Sequence, residues 1–97
     1  MLRGWLMLTA FVVVSGCVTA PPVQEMSDAR QAITAAEQAN AASLAPDSLN
    51  DAQRFLSEAE RQIQQQAYGP ARLNAVRAKN RAAQALASSL AASAEGD

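Results

Sequence analysis

Histidine is absent from this chain, cysteine occurs once, and the single tryptophan, Trp5, lies close to the start. Each absence closes a class of function. Without histidine, no side chain has its ordinary titration near neutral pH, and no imidazole is present to hold a transition metal. A metal site would need carboxylates alone, and Glu25, Asp28, Glu37, Asp47, Asp51, Glu58 and Glu60 lack the spacing of an oxygen-ligand loop. Glu58 and Glu60 stand two apart on an expected helix, so they diverge and make a poor acid/base pair. Their expected role is solvation. Beyond residue 16 the only glycines are Gly69 and Gly96, which excludes a glycine-rich phosphate loop. The expectation is a protein that is not an enzyme and uses neither cofactor nor metal.

The one cysteine is the most informative residue present. Arg3 opens a positive n-region, Trp5 to Val14 form an apolar h-region, and Val14-Ser15-Gly16-Cys17 follow. This resembles the lipobox of bacterial lipoproteins, an aliphatic residue, a small residue, Gly or Ala, then an obligatory Cys. The resemblance implies cleavage between Gly16 and Cys17, with diacylglycerol on the thiol and an acyl chain on the new amino terminus. A membrane-spanning helix fits poorly, because it needs about 20 apolar residues and this run is broken by Ser15-Gly16 and then Pro21-Pro22. One acyl chain anchors only marginally, whereas three hold effectively permanently. Aspartate after the lipidated Cys retains lipoproteins of the enteric type in the inner membrane; here Val18 stands there, which favours the outer membrane, with the chain on its periplasmic face.

Removal of residues 1–16 leaves about 80 residues, enough for one small domain. Residues 17–25 are then a lipidated, proline-containing tether, because Pro21-Pro22 favour extended geometry. Residues 26–94 form an alanine-rich domain and 95–97 a tail. The expected fold is all-α: a small bundle of three helices, an antiparallel hairpin plus one N-terminal helix, after the cleaved signal peptide.

The first helix is expected from about Ser27, whose hydroxyl is placed as an N-cap ahead of Asp28. Its stripe is Met26, Ala29, Ile33 and Ala36, at spacings of three and four. A turn follows before Pro46, which suits the first position of a second helix. There Leu49, Ala52, Leu56, Ala59, Ile63 and Gln66 give the strongest periodic signal of the chain, with Phe55 widening it. Asp51 with Arg54, and Glu58 with Arg61, form i,i+3 pairs on the polar side. Tyr68-Gly69-Pro70 is read as a break, and Pro70 as the start of a third helix reaching about Ser93. Leu73, Val76, Ala83, Leu86 and Leu90 are its larger side chains, beside a second stripe of Ala71, Ala75, Ala78, Ala82 and Ala85. Tyr68 is expected to pack its ring over the hairpin end. Gln53 and Asn74 are expected on the surface.

Charge is uneven along the chain. Residues 18–61 carry seven acids against three bases, whereas the later segment carries Arg72, Arg77, Lys79 and Arg81 against Glu95 and Asp97. These four bases are the candidate anion contact, for peptidoglycan or lipid phosphates. Their spacing makes them flank a seam more than form a patch, and the plainer reading has them facing the acids of neighbouring helices. Nucleic acid is excluded by the envelope address. The larger apolar side chains from Met26 onward number only a dozen, few for a domain of this length. Self-association or a protein partner is therefore expected to complete burial of the alanine-rich face.

Several runs carry a further resemblance. Met26-Ser27-Asp28-Ala29-Arg30-Gln31-Ala32-Ile33, Leu44-Ala45-Pro46-Asp47-Ser48-Leu49, then Ala52, Leu56, Ala59, Tyr68, Ala71, Arg72 and Ala75 are similar to the bacterial family called domain of unknown function 4398. It has an alanine-rich first helix, Ala-Pro before a second and Tyr-x-x-Ala-Arg at the start of a third. Gln66 stands here where the family often has Gly. The resemblance implies a helical envelope lipoprotein domain and carries no catalytic residues. The leading functional expectation is an outer-membrane-anchored structural or adaptor module. The alternative is an envelope ligand-binding module working through the third-helix bases. A trimeric spacer like the major murein lipoprotein is disfavoured by the proline at position 70 and by Glu95-Gly96-Asp97 in place of a terminal Lys.

Overall fold

The structure, a computed structural model, describes residues 20–96. The lipobox residues Val14, Ser15, Gly16 and Cys17 lie outside the described residues. Four helices and no strands are present among them: α1 (Val23–Gln38), α2 (Ala41–Leu44), α3 (Pro46–Gln64) and α4 (Tyr68–Glu95). The three long helices form a bundle, and the expected turn before Pro46 contains the single helical turn α2.

Cross-bundle contacts set the directions. Asp51 meets Arg81 and Gln62 meets Asn74, so α3 and α4 run antiparallel. Glu25 meets Arg72 near the start of both α1 and α4, while Met26 shares a buried cluster with Ala59 and Ala75. Helix α1 is thus parallel to α4, and α4 is the helix that both others lean on.

Helix α1 begins at Val23, four residues earlier than the expected Ser27. Pro22 is its N-cap and is fully buried. Proline costs nothing there, because the first N–H groups of a helix have no intrahelical partner. Val23 to Glu25, assigned to the tether by sequence, therefore belong to the helix. Ser27 does not cap; its Oγ accepts a hydrogen bond from Gln31 Nε2 within α1. The stripe of Met26, Ala29, Ile33 and Ala36 is buried in full.

Helix α3 starts at Pro46 as expected. The chain reverses at residues 65–67 and not at Tyr68-Gly69-Pro70, which form the first turn of α4. Pro70 occupies the third position of that helix, where its missing N–H is again harmless. Gln66 sits at φ 60°, and Ala67 N–H donates to Gln62 O at 2.8 Å while Gln66 N–H donates to Ile63 O at 2.9 Å. This paired arrangement is a Schellman motif, whose left-handed residue is usually glycine. Asn40, at φ 65°, ends α1 in the same backbone region, which asparagine tolerates best among residues with a Cβ.

The core departs most from expectation. Of the thirteen buried apolar residues, ten are alanines; the others are Met26, Ile33 and Leu49. Leu56, Ile63 and Leu86 pack against them part-buried. Leu44, Leu73, Val76 and Leu90, expected among the larger core residues, are exposed. The alanine stripe of α4 is what α1 and α3 cover, because small side chains let helix axes approach toward the short end of the 8–10 Å packing range.

Candidate interaction surface

Helix α4 carries two rows of side chains on opposite sides. One row, Ala71, Ala75, Ala78, Ala82, Ala85 and Ser89, is buried. The other, Leu73, Val76, Asn80, Ala83, Ala87, Leu90 and Ala94, is exposed along its whole length. Leu73 and Leu90 are 50% and 57% accessible, so about half the surface of each large side chain is left uncovered by the described residues. At 100° per residue the second row is centred roughly opposite the first. Its spacing runs three, four, three, four, three, four, the repeat that keeps a stripe on one side of a supercoiled helix. The expected self-association face is thereby corrected: the alanine stripe is consumed within the chain, and the open face lies on the far side.

Polar contacts close the edges between α4 and its neighbours. Arg72 Nε donates to Glu25 Oε2 at 3.1 Å and ties α4 to α1. Arg81 Nη1 donates to Asp51 Oδ2 at 3.1 Å, and Arg54 Nη2 donates to Asp51 Oδ1 at 3.0 Å. Both guanidinium carbons lie within about 6 Å of the Phe55 ring centroid, at 5.7 Å and 6.0 Å, within reach of a cation–π attraction. Asn74, expected on the surface, is buried instead. Its Nδ2 donates to Gln62 Oε1 at 2.9 Å, and Arg77 Nη1 reaches its Oδ1 at 3.4 Å. An amide so placed satisfies its partner only when α3 and α4 are in register. Glu58 and Arg61 form the expected i,i+3 pair. The hydrogen bond that Arg61 donates to Glu58, then the Glu58 charge, raises the Arg61 pKa above the ordinary guanidinium value.

The four candidate anion contacts are not brought together. Arg72 and Arg81 are engaged with carboxylates and Arg77 with an amide, and neither Arg77 nor Lys79 makes an ion pair among the described residues. The plainer reading of these bases describes the first two. Glu60 faces Arg30 across α3 and α1 at 3.9 Å. Tyr68 is half-buried at the start of α4. No cavity opens among the described residues, and no cluster of three acidic or metal-ligating side chains occurs there. None of their helices is long and apolar enough to cross a membrane.

Sequence reading missed the outer row because its large members were assigned to the core. The signal was available. The three-four spacing continues through Asn80, Ala87 and Ala94, residues too polar or too small to attract notice singly.

A model of the family described as domain of unknown function (DUF4398) matches residues 24–97. No curated protein and no solved structure matches the chain.

Proposed function

From the premise that this chain belongs to the DUF4398 family, we propose that it is a lipid-anchored periplasmic module of the outer membrane that works by holding another protein. The observation that carries this reading is the exposed apolar row of α4, a face that the chain's own helices leave uncovered. Monomeric soluble proteins seldom leave such rows open without an interaction to serve. The antiparallel α3–α4 hairpin, with α1 alongside, gives that row a stiff backing. Anchorage rests on Val14-Ser15-Gly16-Cys17 and on Val18 after the cysteine.

Binding of peptidoglycan or lipid phosphate through the α4 bases has less support. Two of the four guanidinium or ammonium groups are already met by carboxylates, and an anion would compete with Glu25 and Asp51 for them.

The test is photo-cross-linking of the full chain in cells, with a photoreactive residue at Ala83 on the open row or at Gln53 on the far polar side of α3. Protein adducts from position 83 and none from position 53 are expected, in the membrane fraction and not in the soluble fraction of a Cys17→Ser variant. Peptidoglycan fragments in place of protein, or no adduct at either position, would overturn the reading.

A further inference from the structure

We propose that the occupant of the open row is a second copy of this chain, packed antiparallel against α4 about a two-fold axis passing between Asn80 and Ala83. The proposal rests on the reading of the chain as an interaction module and specifies its partner.

Two observations on the row point to a self-complementary arrangement. The first is its profile of sizes. Its largest members, Leu73 and Leu90, stand near the two ends, and Ala83 and Ala87 occupy the middle. In an antiparallel pair centred between residues 80 and 83, Leu73 lies against Leu90 of the partner subunit, Val76 against Ala87 of the partner subunit, and Asn80 against Ala83 of the partner subunit. Large side chains then close both ends while small ones allow the backbones to approach at the centre, the condition for tight ridge-into-groove packing.

The second is charge. The row is flanked by Arg72, Lys79, Leu86 and Ser93 on one side and by Arg77, Gln84 and Ala91 on the other. A parallel pair would bring Arg72 against Arg77 of the partner subunit, twice over by symmetry, since flanking residues five apart meet in that geometry. The antiparallel pair places Arg72 beside Ser93 of the partner subunit, Lys79 beside Leu86 of the partner subunit, and Arg77 beside Gln84 of the partner subunit. No like charges meet.

From Leu73 to Ala94 the row is about 32 Å long, and a pair of helices along it buries on the order of 1,000 Å² in total, the lower end of specific interfaces. The dimer is therefore concentration-dependent, and covalent trapping is the right probe.

The experiment uses the full chain, Cys17 retained, with Leu73→Cys and Leu90→Cys carried on two differently tagged copies co-expressed in one cell. Mild oxidation should give a disulfide-linked heterodimer, with neither variant alone, nor the unsubstituted chain, linking to itself. Both positions are half-exposed, so the fold should persist, and far-ultraviolet circular dichroism checks it. Ala83→Glu, which places two like charges near the axis, should abolish the cross-link and leave the melting temperature of dilute protein unchanged. Self-linking of Leu73→Cys alone would overturn the antiparallel arrangement. Unlinked thiols together with a foreign protein caught by the photoreactive residue at position 83 would overturn the second copy and leave the interaction module standing. Unlinked thiols with no protein adduct would overturn both.

Discussion

Helices α3 and α4 solve the problem of packing in opposite ways. α3 separates its residues cleanly, with Leu49, Ala52 and Ala59 buried, Leu56 and Ile63 beside them, and Asp51, Arg54, Glu58 and Arg61 on the polar side. α4 has no comparable division. Alanine faces the bundle, Leu73, Val76 and Leu90 face water, and the basic residues lie between these faces. The difference shows that side-chain size and burial need not rise together. In α3 a leucine is buried beside the alanines and its other bulky residues lie at the edge of the core, whereas in α4 burial follows smallness alone, because a helix flanked by two neighbours must let both backbones come close.

The largest test of this contrast removes bulk from each helix. Leu49→Ala should cost 2–5 kcal/mol, as large-to-small changes in a packed core do, and Leu73→Ala should stay within about 0.5 kcal/mol in dilute protein, as surface changes do. Urea unfolding followed by circular dichroism measures both; equal losses would erase the distinction between the helices. The reverse substitution sharpens it. Ala82→Leu should destabilise by about 1–3 kcal/mol through overpacking, while Ala83→Leu, one residue on, should leave the monomer's midpoint unmoved. A tolerated Ala82→Leu would show that the buried row is not closely packed. The smallest effect concerns the junction between the two helices. Gln66→Gly should raise stability by about 1 kcal/mol, since glycine relieves the left-handed strain at φ 60° and loses part of that gain to its greater freedom when unfolded. A fall in the urea midpoint would mean that the Gln66 side chain contributes more than its backbone costs.

Much of the fold was legible in the sequence. Prolines 46 and 70 marked the starts of two helices to within two residues, and the stripes of α1 and, as far as Ile63, of α3 were read correctly, because each has a single apolar side; Gln66, read as the end of the α3 stripe, is exposed in the turn beyond it. Three features were not legible. The start of α1 was placed late because Pro21-Pro22 were read as extended chain, when a proline can also stand at the start of a helix, where no intrahelical N–H is required. The reversal was placed at Tyr68-Gly69-Pro70 because Gly and Pro are the usual markers of a turn, whereas the residue carrying the turn is Gln66, a side chain with no such signature. The two faces of α4 were read in exchange, since hydrophobic scales rank leucine above alanine and say nothing about how near a neighbouring helix must come. The charged contacts were half visible: the i,i+3 pairs of α3 follow from spacing, but Arg72 with Glu25 and Arg81 with Asp51 depend on the bundle.

An odd number of long helices has a mechanical consequence. Because α1 runs parallel to α4, the chain enters the bundle beside Arg72 and leaves it beyond Glu95, points about 35 Å apart along the helix axis. A pull applied between these points slides α1 lengthwise against α4. It loads the whole alanine seam at once, where a pull on two helix ends lying side by side would open contacts one after another. The bundle is accordingly loaded in shear along the line joining its entry and its exit.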